Sequence, residues 1–168
     1  VERMNRHVDY YDGNYQVSDQ IEVHKGRLEI ARQDTMVTNP ATDISGGYFL
    51  EPEGNTASDG LYFMSKQGCH IRIHDPKPKV INPRQLNYIK AYINKFESAL
   101  YGDEFAHAKR GYRQYTDTTS LIDWYLVQEI SANPDGFWCS YIYKERADER
   151  LYFGPIWDFD ICWNNCSR

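Results

Sequence analysis

The stretch INPRQLNYIKAYINKFESALYG, residues 81–102, constrains the fold more than any other part of the chain. Asn82 followed by Pro83 is a helix start, because asparagine offers a capping oxygen and proline suits the first turn, where its missing N–H loses nothing. Leu86, Ile89, Ile93, Phe96 and Leu100 then recur at spacings of three and four, so one apolar stripe must face a core, and Gly102 ends the helix. A helix that is apolar along one side needs a second layer to cover it. The sequence before it supplies one.

Upstream, the apolar residues follow the rhythm of strands. VDYYDGNYQVSDQIEV holds two Tyr- and Val-rich runs around Asp12-Gly13, a hairpin dipeptide, and GRLEIAR continues the alternation. GGYFLEPEG is a short run bounded by glycines and stopped by Pro52, while GLYFMS and CHIRIH make a further pair. These runs predict an antiparallel sheet, and DPKPK is a proline-stiffened passage from strands to helices. A second helix is predicted over residues 120–130, with Ser120 and Asp123 as a capping-box-like start. Leu121, Trp124, Tyr125, Leu126 and Ile130 predict that this helix is almost wholly buried. After the polar turn SANPDG come two predicted strands, FWCSYIYK and RLYFGPIW, joined by ERADE. The result is an α+β chain in one domain, without internal repeats.

Composition removes several function classes. The net charge is −5, from 24 acidic and 19 basic residues, and the basic ones are scattered, which argues against a nucleic-acid partner. No apolar run reaches the roughly 20 residues that span a bilayer, and the opening VERMNRHVDYYDG lacks signal-peptide character, which leaves the compartment open. Cys69, Cys139, Cys162 and Cys166 match no zinc-ribbon or redox spacing. Buried thiols are the favoured reading, with a Cys162–Cys166 disulfide as the alternative.

The chemistry concentrates in two acidic turns, NPDG with Asp135 and WDFD with Asp158 and Asp160. If the two strands between them pair, their outer ends meet and the carboxylates share one edge of the sheet. Carboxylates that close are stable together only with a compensating cation or a shared proton, and Mg²⁺, with its oxygen ligands, is the simplest compensation. The plainer alternative is a good turn sequence and a solvated strand end.

The segments SLIDWYLVQEISANPDGFWCSYIYKE and LYFGPIWDFDICWNN resemble the catalytic half of the spore coat protein H (CotH) kinase family, whose members carry an N-x-D-G turn, a hairpin and then G-P-x-W-D-F-D. The resemblance extends upstream through DISGGYFLEPEG and QIEVHKGRLEI. It implies an atypical protein-kinase-like fold, mostly its catalytic portion, as a single domain over residues 1–168 shortened at both ends relative to the family. It further implies a kinase that uses ATP and Mg²⁺ or Mn²⁺ to phosphorylate serine on serine-rich protein substrates. Residue by residue, Asp135 would orient the acceptor hydroxyl, and Asp158 would be the metal ligand, in the role of the DFG aspartate of ordinary kinases. Asp160 would add a ligand or hold the loop. Ser140 stands where ordinary kinases carry an asparagine metal ligand, so it is a metal-facing or supporting candidate. Asn133 and Asn165 match family asparagines that would orient carboxylates. Lys25 and Arg27 are the nearest cations for phosphate contact. The alternative is a catalytically weak or inactive CotH-like module for surface or coat binding, and a metal-dependent hydrolase is a third reading. The resemblance also implies a secreted, cell-surface or spore-coat setting.

Overall fold

The computed structural model describes residues 21–24, 27–30, 43–53, 61–138, 140–163 and 165. β1 (Ile21–His24) and β2 (Arg27–Ile30) pair as an antiparallel hairpin of their own, with Ile21 opposite Ile30. The predicted turn at Asp12-Gly13 lies outside the described residues, as does Lys25. A second sheet of five strands has the order β4-β5-β3-β6-β7, with every neighbouring pair antiparallel. Its members are β3 (Tyr48–Glu53), β4 (Leu61–Met64), β5 (His70–Asp75), β6 (Ile142–Lys144) and β7 (Leu151–Phe153).

Pro52 does not stop β3 as the sequence suggests. It lies within the strand, opposite Ile71, while β6 pairs only with the Tyr48–Leu50 part of β3. On its other side β3 is therefore an edge at Pro52, where no ladder N–H is missed. The predicted strands FWCSYIYK and RLYFGPIW are also much shorter in the structure. Residues 134–138 form turns, and pairing is confined to Ile142 opposite Phe153, Tyr143 opposite Tyr152 and Lys144 opposite Leu151. The aromatic residues that suggested strand propensity serve instead to wall the loops.

α1 (Pro83–Leu100) matches its prediction closely. Asn82 Oδ1 accepts from Gln85 N at 3.0 Å, and Gln85 Oε1 accepts from Asn82 N at 3.0 Å, closing a full capping box with Pro83 in the first turn. Ile89 and Ile93 enter the core beside Tyr48, Leu50, Ile71, Ile73, Ile142 and Leu151, with Leu86 and Phe96 packed at its margin. The helix also ties down the β4–β5 turn, since Asn94 Oδ1 and Glu97 Oε2 accept from the backbone of Lys66 and Gln67.

α2 (Thr118–Ser131) begins earlier than predicted, and its cap is different. Asp117 is the N-cap and accepts from Ser120 N at 2.8 Å, so Ser120 is inside the helix and Asp123 plays no capping part. The helix is not wholly buried either. Ile122, Tyr125, Leu126 and Ile130 are exposed, because the helix lies along the sheet edge and only one side of it meets β7. There Trp124 packs on Phe153 at 5.6 Å, and Ser120 Oγ accepts from Phe153 N.

Lys144 and Asp75 are the most deeply buried charged side chains among the described residues. Lys144 donates from Nζ to the carbonyls of Ser45, at 2.6 Å, and Asp148, and the ammonium lies 4.9 Å from the centre of the Tyr92 ring. It joins the β6–β7 turn to α1 and to the approach to β3, and burial lowers its pKa. Asp75, at the end of β5, is 1% exposed; Oδ2 reaches Lys77 Nζ at 3.5 Å, while Oδ1 has no hydrogen-bond partner among the described residues. Burial raises its pKa to about 7 against the opposing pull of Lys77.

Lys144→Met removes the cation while keeping the chain length, leaving the Asp148 carbonyl short of its donor. It is expected to lower stability by about 1–3 kcal/mol in urea unfolding. For Asp75 the raised pKa means that the folded state holds the proton more tightly than the unfolded chain. Its stabilising effect is complete below pH 4 and is lost as pH rises towards 7. Asp75→Asn should abolish that slope, giving melting temperatures at pH 8 above those of the wild type.

Candidate active site

The site is built where α2 ends. Ser131 Oγ donates to Val127 O at 2.7 Å, and Ala132 adopts a left-handed conformation at φ 51°, with its N–H directed to the Gln128 and Glu129 carbonyls. This reverses the chain into Asn133-Pro134-Asp135-Gly136. Asn133 is buried and its amide serves both acidic turns. Oδ1 accepts from Asp135 N at 3.2 Å, and Nδ2 donates to the Asp158 carbonyl at 3.2 Å. Gly136 packs closely on the buried Gln128 side chain, which would have to shift for a Cβ there, 2.1 Å from Gln128 Oε1. Ser140 Oγ donates to the Gly136 carbonyl at 2.7 Å and is buried, so it braces the Asp135 turn from inside.

The second arm leaves β7 through Gly154, whose N–H donates to Tyr141 O at 2.8 Å. Trp157 then packs at a tilt on Tyr141 with centroids 5.2 Å apart, and Asp158 follows at φ 61°, a left-handed backbone that aspartate tolerates better than most side chains. The loop closes back on the helix through Trp163 N, which donates to Ser131 O at 3.0 Å. Three ties thus hold the arms together: Gly154 to Tyr141, Asn133 to Asp158, and Trp163 to Ser131.

The two acidic turns lie side by side through the Asn133 amide. The Asp158 pKa is raised by partial desolvation first, then by the charge of Asp160 and a side-chain hydrogen bond with it, and then by the charge of Asp135. Asp158 is itself exposed and reachable from solvent. Asp160 is held through its backbone, with Asn165 Nδ2 donating to its carbonyl at 2.6 Å. Asn165 therefore supports Asp160, while Asn133 supports both Asp135 and Asp158. Arg27 lies in β2 opposite His24. Cys162 is a buried free thiol, as is the half-buried Cys69, and Cys139 and Cys166 lie outside the described residues.

Among the described residues no group of three or more His, Cys, Asp or Glu side chains is arranged to enclose a metal. The exposed Asp158 carboxylate fits a different donor set, in which one or two protein oxygens share Mg²⁺ with phosphate and water. Sequence reasoning missed the ring surface beside it. Phe49, His74, Tyr141 and Trp157 form a continuous aromatic row on the sheet face away from α1, with Phe49 and Tyr141 4.7 Å apart and His74 edge-on to Tyr141 at 5.4 Å. His74 Nε2 is hydrogen-bonded to Glu51 at 2.6 Å. Strand alternation would have found Phe49 and Tyr141, whose neighbours Tyr48, Leu50 and Ile142 all point into the core.

The site thus joins two braced acidic turns at one end of an α+β sheet to a row of aromatic side chains. The family model described as CotH kinase protein matches residues 4–168, and the chain belongs to that family. No curated protein and no solved structure matches the chain.

Asn133→Ala removes both amide contacts at a buried position. It should lower stability by about 1–3 kcal/mol and broaden the Asp135 and Asp158 amide signals in NMR spectra as the two turns part.

Proposed function

We propose that the chain is a protein kinase that uses ATP and Mg²⁺ or Mn²⁺ to phosphorylate serine on protein substrates. The observation that carries this reading is the bracing of the Asp135 turn against the Asp158 loop by one buried amide, Asn133, with the Asp158 side chain exposed. An exposed carboxylate with acidic neighbours, Asp158, can take a hard cation, and family membership supplies the reaction class. The cation, when bound, neutralises phosphate charge.

The protein's own groups do the rest. Asp158 would bind the cation, and Asp160, hydrogen-bonded to it, would fix the orientation of that carboxylate. Asp135 would accept the hydrogen bond of the serine hydroxyl and aim its oxygen at the γ-phosphorus. The serine Oγ–P bond forms as the bond from phosphorus to the bridging oxygen breaks, ADP leaves, and the hydroxyl proton passes to Asp135. The catalytic demand is positioning and charge neutralisation, which rigid turns serve better than mobile ones. The exposed Trp157 ring, next to Asp158 in the chain, is a surface on which a nucleobase can stack. A secreted, cell-surface or coat setting belongs to the same proposal and is supported by the family resemblance.

The second reading, a binding module without transfer, is favoured by the openness of the site, which no third acidic ligand closes among the described residues. Labelled ATP, Mn²⁺ and a serine-rich acceptor separate the two. The wild type is expected to label the acceptor, Asp135→Ala to lose about a hundredfold or more in rate, and Asp158→Asn to lose both labelling and the metal-dependent thermal shift with nucleotide. Without metal, Asp158→Asn should melt no lower than the wild type, since it relieves like-charge repulsion. A wild type that gains stability from nucleotide and metal yet labels nothing would establish the binding module instead.

A further inference from the structure

Gly136, the residue after Asp135, is buried and held at two points. Its carbonyl accepts from Ser140 Oγ at 2.7 Å, and Ser140 is itself buried. Its Cα lies against the side chain of Gln128, near the C-terminal end of α2, so closely that an added Cβ would fall 2.1 Å from Oε1 and 2.4 Å from Cδ. Gln128 is 3% exposed, and its main-chain carbonyl accepts from Asn133 N at 3.0 Å, so its backbone and its side chain both bear on the turn.

These contacts differ in kind from the Asn133 brace. Asn133 reaches the Asp158 carbonyl as well, so its loss disturbs both loops. Ser140 and Gln128 meet at Gly136, the immediate neighbour of the carboxylate that would receive the serine hydroxyl. A buried serine whose proton is given to a turn carbonyl acts on the reaction through the turn it holds. Gln128 Oε1 has no hydrogen-bond partner among the described residues, so this end of the side chain supports the turn by its volume. Close-packed groups transmit small displacements, and a shift of about 1 Å in a positioned group can cost roughly a hundredfold in rate.

We propose that Ser140 and Gln128 are positioning residues for the transfer: by fixing Gly136 they set where the Asp135 carboxylate meets the acceptor hydroxyl. This inference rests on the kinase reading, which makes Asp135 the group that orients the serine. It assigns Ser140 to the acceptor side of the reaction and not to the cation, and it adds Gln128, a helix residue outside both acidic motifs.

The test compares wild type, Ser140→Ala, Gln128→Ala and Gln128→Met in the labelled-ATP assay with Mn²⁺ and a serine-rich acceptor, after circular dichroism has shown each variant folded. Ser140→Ala and Gln128→Ala should each lower kcat about tenfold or more, with the KM for ATP and the metal-dependent thermal shift within about twofold of wild type. In NMR spectra both should move the Asp135 amide signal and leave that of Asp158 in place. Gln128→Met refills the space without a buried unpartnered acceptor, so it should restore kcat to within about threefold and melt no lower than the wild type. A merely structural role would lower melting temperatures in the alanine variants and leave kcat of the folded protein unmoved, which overturns the inference. Loss of the metal-dependent thermal shift in Ser140→Ala would also overturn it, since the hydroxyl would then be a ligand. A wild type that labels nothing removes the kinase reading and this inference with it, whereas equal kcat in an active wild type and its alanine variants removes this inference alone.

Discussion

Leu151 fixes the geometry on which the rest of the structure depends. Fully buried at the start of β7, it donates to Tyr115 O at 2.7 Å and accepts from Asp117 N at 2.8 Å, forming a parallel bridge at Thr116. The segment before α2 is thereby held to the free edge of the sheet, and Asp117, the residue held there, also caps the helix. The start of α2 is anchored to the same strand whose continuation carries Asp158. Helix rise and strand direction then return both chains to a common point, where the Asp135 turn and the WDFD loop lie side by side. That bridge adds a tie at the far end of α2 to those the hairpin and Asn133 make at the acidic turns.

How legible this was in the sequence depended on whether the signal was local. α1 could be read almost to the residue, because Asn82, Pro83 and the stripe through Ile89 and Ile93 all act within one helix. The start of α2 was misplaced because Asp117 and Ser120 are both good caps by type. The choice between them is made by the bridge to Leu151, a contact that no local pattern contains. The length of the β6–β7 hairpin was overestimated for a similar reason. Phe137, Tyr141 and Trp157 have strand-like character, yet Phe137 packs on Trp124 and Trp157 on Tyr141, and loop packing overrides strand propensity.

The site itself was legible in part. Asp135 and Asp158 could be paired in advance because a hairpin of any length returns to its own start. The brace between them could not be assigned from spacing, since nothing local shows that one asparagine amide divides its donor and acceptor between two loops. Ser140 illustrates the same limit. Its position suggested a group near the metal, and its hydroxyl is instead committed to the Gly136 carbonyl, a contact fixed by the depth at which residue 140 is buried.

The ionisable residues divide by burial into two kinds with opposite consequences. Lys144 is enclosed and satisfied by carbonyls and an aromatic ring, so its charge is spent on joining strands to helix. Asp158 is exposed on a left-handed backbone, raised in pKa by its acidic neighbours, with its carbonyl rather than its carboxylate used for bracing. That division of labour keeps the carboxylate oxygens out of the structural hydrogen bonds that fix the loop. A group held rigidly by its backbone and loosely at its charged end is suited to a ligand that must be bound and released. The repulsion from Asp160 and Asp135 favours the same outcome, because it is relieved by something positive arriving at that edge or by a proton on the carboxylate.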